Sequence, residues 1–175
     1  MVKTVKPLIK ITELDQVCIV VHDIDKSVES MWNNFGVGPW NIVDLPPESM
    51  SDLTYYGKPA RFGFKAALTQ KRIGGIEFEL IQPTVGDSIY RDYLRQYGEG
   101  IQHLGHHKIN SLETLANTLK VLERAGFPCI MSGRTVLGTF SYIDTRSVLN
   151  TILELCWFDP SVKPPPPDYV FPKKI

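Results

Sequence analysis

Two glutamates stand inside apolar segments where a carboxylate is expensive. Glu79 lies in FELIQP (78–83) and Glu154 in LELCWFDP (153–160), each an acid between apolar residues with a proline further on. A carboxylate in such a strand is costly to bury unless it is paired, hydrogen-bonded or bound to a metal. Either glutamate alone is also compatible with the wet face of an antiparallel sheet. The match between the two segments favours a shared site. Each half of the chain also opens a strand with a polar residue, Gln16 in LDQVCIVV and His103 in IQHLGHH. Strand alternation puts Glu77 on the face of Glu79, and Ile152 and Cys156 on the face of Glu154.

The elements that must position these residues recur in order. Apolar residues at Ile24, Val28, Met31, Trp32 and Phe35 predict a helix over 24–35, capped by Asp23 or Asp25 and ended by Gly36. Leu112, Leu115, Ala116, Leu119 and Leu122 predict a second over 112–125, with Asn110 and Glu113 resembling a capping box. A shorter helix is expected over 89–97. Strands are expected at 17–22, 62–69 and 76–81, then at 101–109, 135–144 and 152–158. Residues 44–59 hold three prolines with Ser, Asp and Gly and read as a loop. The PPPP run at 164–167 excludes regular helix or central strand, so the tail is expected to run extended.

The order is strand, helix, strands, repeated once. From Gln16 to Glu79 is 63 residues and from His103 to Glu154 is 51. The surplus of 12 is about the size of the 44–59 loop, so the halves read as duplicates with one insertion.

A chain of 175 residues fits one domain or two small modules sharing a core. Nineteen basic residues balance nineteen acidic ones, which argues against nucleic acid as a partner. No apolar run approaches the ~18 residues of a membrane span. The N-terminus has lysines but no apolar stretch after them, so no signal peptide is expected. Cys18, Cys129 and Cys156 lack metal-type spacing and read as free thiols of a cytoplasmic protein.

The sequence resembles the vicinal oxygen chelate superfamily, which includes glyoxalase I, methylmalonyl-CoA epimerase, ring-cleaving dioxygenases and fosfomycin-resistance proteins. The resemblance rests on LDQVCIVVHDIDKSVESMWNNFGVGPW, GIEFELIQP, GEGIQHLGHHKI and YIDTRSVLNTILEL, and covers roughly 14–160. GVGPW and GEGIQHLG make it most like the epimerase branch. It implies an α+β fold of two βαβββ modules whose curved mixed sheets enclose a metal-binding cleft. The expected division is an N-terminal extension at 1–13, a first module at 14–84, a linking helix at 85–100, a second module at 101–160 and a Pro-rich tail at 161–175. Carried over by position, the ligands of one divalent ion are Gln16, Glu79, His103 and Glu154. The epimerases usually have histidine where this chain has Gln16, and often glutamine where it has Glu79; the set here is like that of some glyoxalase I enzymes.

One nitrogen and three oxygen donors suit an octahedral ion with two free positions, and Mn, Co, Ni, Fe, Mg or Zn all qualify. An Fe(II) oxygenase needs two histidines and a carboxylate, which makes ring cleavage less fitting. The activity implied is that of an isomerase or epimerase acting on a carbonyl or acyl-thioester substrate. Proton removal beside the carbonyl would give a metal-chelated enolate, with Glu154 or Glu79 as catalytic base. A glyoxalase-type lyase is the alternative enzyme, and a non-enzymatic protein sequestering a small ligand is the alternative of another class. Exposed sheet edges and ten Tyr and Trp residues point to a homodimer, with the tail along the partner.

Other residues have smaller parts. His106 points away from the His103 face. His107 shares that face but, ~13 Å along a strand, is too far to join one ion and at most lines the cleft. His22 reads as a capping or rim residue, and Cys18 and Cys156 as packing. Lys65 and Tyr142 are expected to face the cleft, Arg61 or Arg72 to meet an anionic substrate, and Tyr55 and Tyr56 to sit in a loop over it.

Overall fold

The computed structural model describes residues 6–173. The first five residues of the 1–13 extension and the last two of the tail lie outside them. The first half runs β1 (Gln16–Val20), α1 (Ile24–Phe35), β2 (Trp40–Leu45), β3 (Ser51–Tyr55), β4 (Lys58–Pro59), β5 (Gly63–Thr69) and β6 (Glu77–Val85). A linking helix α2 (Ile89–Tyr97) leads to β7 (Gly100–His106), α3 (Leu112–Arg124), β8 (Cys129–Thr135), β9 (Gly138–Ile143), a single turn α4 (Arg146–Leu149) and β10 (Ile152–Phe158). The tail adds β11 (Tyr169–Phe171). No helix among the described residues is long and apolar enough to cross a membrane.

All eleven strands join one sheet in the order β11-β2-β5-β6-β1-β7-β10-β9-β8-β3-β4. Outward from the β1/β7 seam the two halves repeat the same pattern: a parallel neighbour, β6 or β10, then two antiparallel ones. Across the seam Gln16 faces Gly105 and Cys18 faces His103. Gln16 pairs with Glu77 while His103 pairs with Ile152, so Gln16 is equivalent to His103, Cys18 to Gly105 and Glu79 to Glu154.

Burial follows strand alternation. On the outer face, α1 covers Trp40, Ile42, Ala67 and Leu80, and α3 covers Ile143, Leu153 and Leu155. Asp23 caps α1 by accepting from the Lys26 N–H at 3.1 Å. Ser111, not Asn110, caps α3 by accepting from the Thr114 N–H at 3.0 Å. Both are ordinary N-cap bonds worth ~1 kcal/mol. The inner face holds a core drawn from both halves: Cys18, Val20, Phe64, Ile81, Phe140, Tyr142, Ile152 and Cys156, closed by Ile89 and Tyr90 of α2.

The segment expected to be a loop over 44–59 contains most of the departures from the sequence reading. Its start belongs to β2. After Pro46–Met50, β3 crosses to the far end of the sheet and pairs with β8, Thr54 opposite Ser132 and Tyr55 opposite Met131. Six Cα steps cannot span more than about 20 Å. The sheet must therefore curl until its two ends approach each other, and Leu53 drops into the inner core. The expected 135–144 strand is β9, and β8 at Cys129–Thr135, which the sequence reading did not include, pairs with it across a tight turn.

The end of the described tail docks on its own chain. β11 pairs antiparallel with β2, Asp168 accepts from the Asp44 N–H at 2.6 Å, and Tyr169 donates from its hydroxyl to Asp25. Tyr169 and Phe171 pack against the α1 core. The edge of β2 is thus covered internally, and the opposite edge ends in the two-residue β4 with its proline. The outer edges of the sheet are then the short strands β11 and β4. Ending the chain at Asp159 should cost about 2 kcal/mol, the scale of a few apolar contacts and hydrogen bonds. It should also expose the β2 edge to self-association. Denaturant titration and light scattering check both; an unchanged midpoint and mass would show that β11 contributes nothing.

Candidate metal centre

The register lays the polar residues in two rows across the inner face. One row runs Ile152, His103, Cys18, Glu79 over β10, β7, β1 and β6. The next runs Glu154, Gly105, Gln16, Glu77. Two pseudo-equivalent small residues, Cys18 and Gly105, sit in the middle of the rows. The larger side chains close over them.

His103 is fully buried and central. Its Nε2 lies 3.5 Å from Glu79 Oε2 and 3.5 Å from Glu154 Oε2. Those separations are long for hydrogen bonds. They match the roughly 3.0–3.5 Å between neighbouring ligands of one cation whose bonds are ~2.1 Å. Gln16 Oε1, Glu79 Oε2 and His103 Nε2 are all buried without a hydrogen-bond partner. Three unpaired electron-rich atoms in one interior are costly unless a cation meets them. Gln16 turns its amide nitrogen away, donating to Glu77 Oε2 at 3.3 Å, which leaves its oxygen for the centre. The donors present therefore fit a divalent ion.

A β-bulge prepares His103. Cys18 pairs with His103 but Ile19 with Ile101, so Gln102 is the extra residue on β7. Its Oε1 lies 2.6 Å from His103 Nδ1, where it accepts the Nδ1 proton and leaves Nε2 facing the carboxylates. Tyr142 packs edge-on to the imidazole with centroids 4.9 Å apart, and its hydroxyl is 2.6 Å from that of Tyr90.

His107 enters the site in a way the strand spacing did not reveal. β7 ends at His106, and the next residue folds its ring back over Gly105 to bring Nε2 within 3.0 Å of Glu154 Oε2. A Cβ at Gly105 would lie 2.6 Å from that nitrogen and 3.0 Å from the Gln16 Cβ. The glycine in HLGHH was the available signal. Cys18 and Cys156 are closer than packing residues need be: Cys18 Sγ groups with Glu79 and His103, and Cys156 Sγ with His107 and Glu154, each set within 4.8 Å.

The electrostatics follow from this crowding. Burial alone would lower the His103 pKa, but Glu154 and Glu79 outweigh it and push it up to about 9. Burial would raise the Glu154 carboxyl; the charge of His103 and the charge and hydrogen bond of His107 hold it well below the usual range instead. Burial, then Glu79, raises the Cys18 thiol, and burial, then Glu154, raises Cys156. Burial and the Glu79 charge raise Glu77.

Of the other positions, Lys65 and the arginines differ from expectation, while His106 and His22 lie as expected. Lys65 shares the outer face with Ala67, because Phe64 and Ala66 take the inner one. Arg61 is exposed and paired with Glu48 at 3.4 Å. Arg72 is bound to the Asp15 and Gly75 carbonyls at 3.0 and 3.1 Å, so neither arginine is a free anion site. His106 points away, its Nδ1 3.0 Å from the Glu13 carbonyl. His22 is exposed at the rim, where its N–H meets Glu99. Tyr55 donates to Asp92 of α2 at 2.6 Å, tying the crossing segment to the linking helix.

A fold of paired βαβββ units around a carboxylate–imidazole centre defines the class. Residues 15–141 match the model of the glyoxalase/bleomycin resistance protein/dioxygenase superfamily, and the chain belongs to that superfamily. A search of curated proteins found no match. Among solved structures, a hypothetical protein of Bacillus halodurans aligns with TM-score 0.59 at 17% identity, over 87% of this chain and 98% of its own. A variant of Streptomyces coelicolor methylmalonyl-CoA epimerase in complex with 2-nitronate-propionyl-CoA aligns with TM-score 0.55 at 17% identity, over 85% and 99%. Methylmalonyl-CoA epimerase from Mycobacterium tuberculosis aligns with TM-score 0.53 at 18% identity, over 85% and 89%. At such identities the likeness is one of fold.

The small residue at position 105 can be tested directly. Gly105→Ala should displace His107 from Glu154 and destabilise the protein by about 1–3 kcal/mol, the usual cost of overpacking. Denaturant titration and the imidazole NMR signals of His107 check this. A variant of wild-type stability that keeps the His107–Glu154 bond would show that the gap is not needed.

Proposed function

We propose that the chain is a divalent-metal-dependent enzyme that moves a proton on the carbon beside a carbonyl, in the manner of an epimerase. The observation that carries this is the pseudo-two-fold pair Glu79 and Glu154, each 3.5 Å from the same imidazole nitrogen. Gln16, Glu79, His103 and Glu154 would hold the ion. When bound, it would polarise the substrate carbonyl and stabilise negative charge there.

The chain's own residues supply the proton handling. Epimerisation removes a proton from one face of a carbon and returns one to the other, which calls for two groups on opposite sides. Glu79 and Glu154 reach the centre from different halves of the sheet and meet that need. Glu154 is kept ionised by its histidine neighbours, as a base must be. His107, bonded to Glu154 at 3.0 Å and only partly buried, is placed to pass the proton toward solvent. Tyr90 and Tyr142 line the interior with Phe64 and Phe140 and exclude water from the reacting carbon. The same groups serve a glyoxalase-type lyase, in which the proton returns to the neighbouring carbon. The thiols beside the centre favour borderline ions such as Zn or Co over Mg.

Glu154→Ala should lower bound metal about tenfold or more, within the range for lost ligand interactions, while the fold persists. Elemental analysis with circular dichroism checks this. Wild-type protein should exchange deuterium into carbonyl compounds or acyl thioesters, and the variant should not. Equal metal content in both proteins would remove Glu154 from the ligand set, and metal-loaded wild type that exchanges no substrate would sink the enzymatic reading.

A further inference from the structure

The proposed ion leaves donors unused. An octahedral ion that keeps two positions for a substrate takes four protein ligands, and Gln16, Glu79, His103 and Glu154 supply them. His107 and Cys156 stand beside Glu154 without a place in that shell. His107 Nε2, a Glu154 oxygen and Cys156 Sγ all lie within 4.8 Å of one another. A tetrahedral zinc with bonds of ~2.0–2.3 Å holds neighbouring donors roughly 3.3–3.8 Å apart. His107 Nε2 and Glu154 Oε2 are already 3.0 Å apart, so closing the set on an ion calls for shifts of at most about 1 Å at the sulfur.

Two observations mark these donors as placed. First, His107 is aimed. Its N–H donates at 3.0 Å to Asp15, a carboxylate only 3% exposed, and Gly105 opens the space into which its ring turns. Phe158 packs edge-on against that ring with centroids 5.4 Å apart. Second, Cys156 is 2% exposed and turns its sulfur to Glu154 and His107, whereas Cys129 spends its thiol on the Met131 carbonyl at 3.4 Å. A thiol, an imidazole and a carboxylate converging in an interior make a donor set for a borderline ion, with a fourth position left open. His107, only partly buried beside the exposed Phe158, gives such an ion its way in.

Glu154 is the side chain common to both sets. Its Oε2 lies 3.5 Å from His103 Nε2 and 3.0 Å from His107 Nε2. A carboxylate has an oxygen for each of two ions, and two-metal sites hold their ions roughly 3.5–4 Å apart.

We propose that His107, Glu154 and Cys156 form a second metal site, selective for a thiophilic divalent ion such as Zn(II) or Co(II), whose occupation closes the proton path through Glu154 and His107. With this ion bound, the Nε2 lone pair of His107 is taken up by the metal and no longer carries a proton away from Glu154. The second ion is therefore inhibitory. That consequence rests on the proposed proton chemistry; the site itself does not.

The test titrates chelator-treated, full-length protein with Co(II), followed by absorbance and elemental analysis. Saturation should come at two ions per chain, with a near-ultraviolet sulfur-to-cobalt charge-transfer band, the mark of a thiolate ligand. Cys156→Ser should remove the band and one of the two ions. His107→Gln, at a partly exposed position, should also remove one ion, and it serves if circular dichroism finds the buried serine misfolded. Cys18→Ser should keep the band and both ions. Saturation at one ion without the band leaves His107 and Glu154 as an ordinary hydrogen-bonded pair and overturns the second site. A band that survives Cys156→Ser overturns it too. One ion with a band lost in Cys156→Ser keeps this site and removes the Gln16 ligand set instead. In excess Zn(II), Cys156→Ser should exchange deuterium into carbonyl compounds or acyl thioesters about tenfold or more faster than wild type, because its proton path stays open. Equal rates overturn the inhibition, and a protein that exchanges nothing at either loading removes the catalytic reading while the spectroscopic site stands.

Discussion

The register of the seam between β1 and β7 decides which side chains meet. Hydrogen bonding there sets Cys18 opposite His103 and Gln16 opposite Gly105. Because both flanking pairs are parallel and in the same relative register, Glu79 and Glu154 come to matching heights on either side. A slip of one residue would turn every inner side chain outward. A slip of two would leave the inner face intact but separate the two glutamates from the histidine. The bulge at Gln102 adds to this control, since it pins the register and supplies the hydrogen bond that orients His103.

Smallness at the centre matters as much as chemistry. Strands in a sheet are about 4.8 Å apart, and three large side chains on neighbouring strands would block one another. Cys18 and Gly105, equivalent under the pseudo-two-fold, leave room for groups from four strands to converge. The rest of the inner face is filled with aromatic and branched side chains. The polar groups thus sit in a low-dielectric interior, where their mutual effects are large.

Most of the frame was legible in the sequence because it depends on local periodicity. The helices at Ile24–Phe35 and Ile89–Tyr97 fall where the 3.6-residue spacing put them, and the strands carrying Gln16, Glu79, His103 and Glu154 begin within a residue of expectation, although β6 runs four residues longer and β7 stops three residues sooner. The comparison of FELIQP with LELCWFDP picked out two positions that the sheet places symmetrically. What was not legible depends on tertiary contact. Ser51–Tyr55 contains Ser and Asp and looks like a loop; it is a strand because β8 offers it an edge. His107 was set too far away by counting along a strand that ends one residue earlier. Lys65 was placed by analogy, whereas alternation from Ala66 would have put it outside. Arg146 and Gln102 belong to an end of the fold whose shape depends on how α2 and α4 approach β7.

The short link through Pro46–Met50 also orders events during synthesis. β3 is made in the first third of the chain, yet its partner strand lies in the second half, with Thr54 and Ser132 separated by 78 positions. β2 likewise waits for a partner 124 positions later, where Asp168 receives the Asp44 N–H. At a ribosome's pace of roughly 5–20 residues per second, the first half spends several seconds with β3 paired only to the two-residue β4 and Leu53 without its pocket. The two halves repeat one design, but the insertion makes the earlier copy dependent on the later one. An emerging chain of this kind has most need of a chaperone between the completion of β6 and the arrival of β8.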